Sequence, residues 1–78
     1  MTNLKVALLG GGSWGTTVAA LVTRNAPVTL WARNPATVEE INTLHTNSKY
    51  LPGASLPEKL KATTDIAEAV SGADVIIM

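Results

Sequence analysis

Seventy-eight residues, 46% hydrophobic and 15% charged with no formal net charge, make one small globular domain and exclude a disordered tail. With no cysteine and one histidine, the chain holds no disulfide scaffold, no thiolate metal site and no histidine-built zinc site. Balanced charge speaks against a basic nucleic-acid face, and no apolar run reaches the roughly 18 residues of a membrane span.

The N-terminal stretch MTNLKVALLGG is too short and too quickly broken by glycine to be a signal peptide, so the expected location is the cytoplasm. LKVALL (Leu4 to Leu9) is a continuous apolar run that ends in glycine, the pattern of a strand buried on both faces. After the glycines, Val18, Leu21 and Val22 recur at helical spacing, and small Ala19 and Ala20 between them allow close packing on a sheet. Pro27 ends that helix, and VTLWA (Val28 to Ala32) reads as a second strand. Asn34-Pro35 opens a second helix, with Asn as N-cap, and Val38, Ile41 and Leu44 carry its apolar face to about His45. The stretch TNSKYLPGASLPEKL has no period and reads mostly as loop. KATT (Lys61 to Thr64) is a short strand. Asp65 and Glu68 form a capping box for a helix ending at Gly72, and DVIIM is a further buried strand. Strands alternating with helices predict a parallel sheet with right-handed crossovers.

Gly10, Gly12 and Gly15 spell G-x-G-x-x-G between the first strand and first helix, with a second strand following. Gly10 allows the tight turn, Gly12 lets backbone approach a pyrophosphate, and Gly15 lets helix and strand touch. The unpaired amides and positive dipole end of the helix would face the phosphates. No G-K-[ST] follows, so the turn is not a P-loop. A glycine-rich turn that binds nothing is the plainer alternative, but the order strand, motif, helix, strand favours a site. The expected fold class is therefore α/β: a Rossmann-type doubly wound parallel sheet, truncated, with about four strands and three helices.

The end of the second strand selects the cofactor. NAD-selective domains place an acid there, whereas NADP domains place an arginine nearby. This chain has Trp31-Ala32-Arg33-Asn34 and no Asp or Glu before Glu39. Arg33 offers a permanent, forked cation to a phosphate, so NADP(H) is preferred, with NAD(H) second. Plainer roles compete elsewhere. Core packing and cofactor contact are equally open for Trp14, while Trp31 reads as core. His45 reads as a surface residue, Glu39-Glu40 as a solvated face, and Lys49 as a surface lysine able to reach an anion.

GGGSWGTTVA, VTLWARNP and INTLHTNSKYLPGASLP, followed by ATTDIAEAVSGADVIIM, resemble the N-terminal part of bacterial NAD(P)-dependent glycerol-3-phosphate dehydrogenase. The likeness covers essentially the whole chain, and S-W-G-T, L-W-A-R-N and Y-L-P-G are its specific parts. It implies a cofactor domain followed by a helical substrate domain, and interconversion of dihydroxyacetone phosphate and sn-glycerol 3-phosphate for phospholipid synthesis. Ser13 and Trp14 would then sit against the pyrophosphate, Arg33 with Asn34 at the 2′-phosphate, and Tyr50 near the adenine. Gly11 stands where alanine is commoner, and NAPVTL is one residue shorter than the family's usual turn, which would shift Arg33 slightly. The family's catalytic lysine and glycerol phosphate-binding residues fall past position 78. Residues 1–78 are thus expected to be the first part of a longer cofactor domain, without the substrate domain or any catalytic residue, and inactive alone. A homodimer is the assembly left open. Other readings are a ketopantoate reductase or sugar-nucleotide dehydrogenase type of oxidoreductase, and a non-catalytic nucleotide-binding module.

Overall fold

The structure is a computed structural model that describes residues 4–10 and 12–78, apart from the side chain of Ser13. Seven elements alternate along it: β1 (Val6–Leu9), α1 (Ser13–Val22), β2 (Val28–Trp31), α2 (Pro35–Leu44), β3 (Lys61–Thr63), α3 (Ile66–Val70) and β4 (Val75–Ile77). The strands form one sheet in the order β3-β2-β1-β4, and every neighbouring pair is parallel. Register places Leu8 beside Leu30 and Ile77, and Leu30 beside Ala62, so one row of apolar side chains crosses the sheet.

That row faces α1 and α2. Val6, Leu8, Val28, Leu30 and Ala62 pack with Ala19 and Ile41, and Leu56 and Leu60 of the long connection close the cluster. Right-handed crossovers put α1 and α2 on one face; the return from β3 to β4 runs the other way and puts α3 on the opposite face. Small Ala7, fully buried, and Ala69 of α3 fit this second layer. Residues of β1, which alternate between the faces, are therefore covered on both sides, as the apolar run VALL (Val6–Leu9) requires.

Within these residues β4 pairs with β1 at the edge of the described sheet, where Ile76 is 50% exposed and Val75 is also open. Two expectations change. The capping box at α3 is half made. Asp65 Oδ1 accepts from the amides of Ala67 and Glu68, but the Asp65 amide donates to Thr63 Oγ1 at 3.0 Å rather than to Glu68. His45 is half-buried rather than a surface residue, and it ends α2 in the left-handed conformation at φ 57°. The opposite sheet edge is protected: the Asn42 side chain of α2 donates to the Ala62 carbonyl at 2.9 Å and accepts from the Ala62 amide at 2.8 Å, imitating a further strand.

Candidate functional site

The carboxyl ends of β1, β2 and β3 finish level. The Gly10 amide donates to the Trp31 carbonyl at 2.9 Å, and the Ala32 amide to the Thr63 carbonyl at 3.0 Å. From this edge the chain turns into α1 through the glycines. Gly10 has φ +130°, a conformation that L side chains rarely adopt. A Cβ on Gly15 would run into the Gly10 carbonyl oxygen and stand 3.1 Å from Leu8 Cδ2, so α1 lies directly on the end of β1. A Cβ on Gly12 would meet nothing within 4 Å, which leaves its backbone bare toward open space. Gly11 lies outside the described residues, as does the Ser13 side chain.

Gly12 is the N-cap of α1 and offers no side-chain bond to the amides of the first turn, which also contains no acid. Those amides have no acceptor within the helix. Beside them opens a cleft of about 400 Å³ lined by Gly10, Gly12, Trp31, Ala32, Arg33, Asn34, Thr37, Lys49 and Tyr50. Of the expected site residues, the cleft thus joins Gly10, Gly12, Arg33, Asn34 and Tyr50. Gly15 supports it from behind, and Trp14 stands at the start of α1, outside the lining. Trp14 is 64% exposed, which rules out core packing as its role in this chain. Asn34 Oδ1 is engaged as the cap of α2, accepting from the Ala36 amide at 2.8 Å. Trp31 is half-buried, with Nε1 donating to the Thr64 carbonyl at 2.8 Å, so it braces the strand end.

The wall opposite β2 comes from the connection between α2 and β3. It is tied down by Asn47, which the sequence did not single out, and by Glu40, which is half-buried and hydrogen-bonded rather than part of a solvated face. Buried Asn47 donates through Nδ2 to Thr16 Oγ1 of α1 at 2.9 Å. Glu40 of α2 accepts from Thr46 Oγ1 at 2.6 Å, and from the amide and hydroxyl of Ser48 at 2.8 and 3.1 Å. The Thr46 hydroxyl, then the Ser48 amide, hold the Glu40 carboxyl below its ordinary value of 4.5. A larger hollow of about 580 Å³ lies at the other end of the sheet, among Thr23, Pro27, Lys59 and Lys61, far from the glycine turn. Among the described residues, no cluster of His, Asp and Glu could hold a metal ion, and no helix is long and apolar enough to cross a membrane.

A parallel sheet ordered 3-2-1-4, with a glycine turn at the end of its first strand and helices on both faces, defines the class: this is the opening half of a Rossmann-type nucleotide-binding domain. Residues 5–78 match the family model described as NAD-dependent glycerol-3-phosphate dehydrogenase N-terminus, and the chain belongs to that family. A glycerol-3-phosphate dehydrogenase [NAD(P)+] of Sphingopyxis alaskensis is 68% identical over 76 residues, 97% of this chain and 23% of the relative. One from Stenotrophomonas maltophilia is 52% identical over 95% of this chain and 22% of its own length. Among solved structures, the glycerol-3-phosphate dehydrogenase of Plasmodium falciparum superposes with a TM-score of 0.87 at 31% identity, over 95% of this chain and 24% of that one. That of Coxiella burnetii gives 0.84 at 36% identity, over 95% and 23%. The chain therefore spans about a quarter of the length of the relatives it matches.

Proposed function

We propose that this chain is the cofactor-binding part of a dehydrogenase that interconverts dihydroxyacetone phosphate and sn-glycerol 3-phosphate, with NADP(H) preferred and NAD(H) accepted. The observation that carries the reading is the bare start of α1: a glycine N-cap, no acid in the first turn, and an open cleft alongside. Backbone amides and the helix dipole there suit a diphosphate, and a side-chain cap would have occupied the same space. Gly10, Gly12, Ser13, Trp14 and Gly15 make the pyrophosphate subsite. Arg33 and Asn34 face the adenosine 2′-phosphate, Asn34 through Nδ2 because Oδ1 caps α2. Tyr50 flanks the adenine, and its 42% exposure leaves a ring face open for stacking.

The nicotinamide supplies the hydride chemistry when bound. The residues of this chain fix the dinucleotide's phosphates and exclude an acid from the ribose end; the proton-handling lysine and the glycerol phosphate subsite are proposed to come from residues outside these 78. The reading extends to a cytoplasmic protein and to a homodimer, which equilibrium sedimentation checks. Calorimetric titration with NADPH, NADH and ATP tests the cofactor reading. NADPH is expected to bind tightest; ATP binding as tightly as either dinucleotide would point instead to a general nucleotide module. Arg33→Glu is expected to weaken NADPH by about a hundredfold while NADH changes little, because a bidentate charged contact is replaced by repulsion. Equal losses for both would remove Arg33 from the 2′-phosphate subsite.

A further inference from the structure

Lys49, for which the cofactor reading has so far no use, stands at the tip of an anchored turn. Asn47 and Leu51 close that turn, with the Leu51 amide donating to the Asn47 carbonyl at 2.7 Å, and the Asn47 side chain is buried against α1. Ser48 is held by Glu40 of α2. The turn is therefore closed on itself and fixed at Asn47 and Ser48, and the next two residues, Lys49 and Tyr50, line the same cleft as Gly10, Gly12 and Arg33. The Lys49 ammonium lies 5.4 Å from the centroid of the Tyr50 ring, an arrangement that holds a flexible side chain over an aromatic face.

Charge completes the argument. The cleft lining contains two cations, Arg33 from the turn after β2 and Lys49 from the connection before β3, and no carboxylate. Among the described residues neither forms an ion pair. Two like charges sharing a cleft repel, and an anion placed with both relieves that repulsion. A phosphate monoester carries close to two negative charges at neutral pH, of which one guanidinium offsets one. Arg33 alone leaves the second charge unmatched.

We infer that Lys49 is the second cation of the 2′-phosphate subsite, and that it sets the preference for NADP(H) over NAD(H) jointly with Arg33. This rests on the dinucleotide reading above. The Tyr50 ring then has two tasks, flanking the adenine and steadying the ammonium beside the ribose.

The test compares adenosine 2′,5′-bisphosphate with 5′-AMP, and NADPH with NADH, on the unaltered protein, Lys49→Gln, Lys49→Arg and Arg33→Glu. Lys49→Gln keeps most of the stem against Tyr50 and removes the charge. It is expected to weaken the bisphosphate and NADPH about tenfold while 5′-AMP and NADH stay within about twofold. Lys49→Arg should restore the preference, which a merely structural role for the stem would not predict. The salt dependence of bisphosphate binding should also become shallower in Lys49→Gln. If Arg33→Glu abolishes the preference and Lys49→Gln leaves it intact, the inference about Lys49 is wrong and the cofactor reading stands. If the unaltered protein binds neither dinucleotide, the cofactor reading itself fails, and the assignment of Lys49 falls with it.

Discussion

Three helices begin at the carboxyl edge of this sheet, and they begin differently. At α2, Asn34 accepts from the Ala36 amide, and at α3 Asp65 accepts from two amides, those of Ala67 and Glu68. At α1 the N-cap is Gly12, without any side-chain bond. The capped helices satisfy their own first turns, each cap contributing about 1 kcal/mol. α1 forgoes that stabilisation and leaves the amides of its first turn without a side-chain cap. The glycines that open it also bring it closer to the sheet than a side chain would permit, because Gly15 rests on the Gly10 carbonyl. A helix start that is exposed, uncapped and tightly seated is poorly explained by stability and well explained by anion binding.

Gly15→Ala gives the largest effect by attacking the seating. The new methyl would meet backbone at Gly10 and the Leu8 side chain, and backbone cannot rotate away. A loss of about 3 kcal/mol is expected, read as a lower urea midpoint with unchanged slope. A variant as stable as the parent would mean that α1 does not lie on β1 as described.

Gly12→Asp converts the bare start into the kind found at α3. The backbone at Gly12 is extended, φ −71° and ψ −178°, and space is open where the side chain would go, so the fold should accept it. Stability is expected to hold or rise by about 0.5 kcal/mol through capping and the dipole. Binding of NADPH and NADH should fall together by roughly a hundredfold, because a carboxylate takes the amides and repels the diphosphate. Retained binding in a stable Gly12→Asp protein would separate the helix start from the ligand.

The same contrast marks what can be read without a structure. Caps and glycines act within a few residues of themselves, so Asn34-Pro35, the Asp65 cap and the G-x-G-x-x-G turn were legible, as was the order of all seven elements, although α1 stops at Val22, short of the Pro27 that marked its end in the sequence. Glu68 looked like half of a capping box until the Thr63 hydroxyl took the Asp65 amide. The far wall of the cleft was legible only at Tyr50, through the family resemblance, and in the bare reach of Lys49; Asn47 reaches Thr16 across 31 residues, and nothing local to TNSKY predicts that contact. His45 looked polar and outward, yet it ends α2 in the left-handed conformation, and its carbonyl accepts from the Leu56 amide at 2.7 Å.

Asp65→Ala sharpens the comparison from the capped side. Two amides of a five-residue helix lose their acceptor, and about 1 kcal/mol of stability should go with them. Dinucleotide affinity should be unchanged, since α3 starts outside the cleft lining. A parallel loss of binding would show that all three helix starts act as one unit.

Glu40 gives the smallest effect, and its sign follows from the direction of its shift. The folded carboxyl titrates below 4.5 because its charged form receives bonds from Thr46 and Ser48. Its stabilisation is therefore fully present above about 4.5 and is lost as pH falls through the lower, folded value. Glu40→Gln removes the charged acceptor, so the variant should melt slightly below the parent at pH 7, and the gap should close as the medium is acidified beneath 4.5. Because Glu40 fastens the foot of the turn bearing Lys49 and Tyr50, acid should also loosen the far wall of the cleft while α1 keeps its uncapped start. A melting difference that stays constant from pH 7 to pH 3 would mean that the Glu40 charge does not hold this turn.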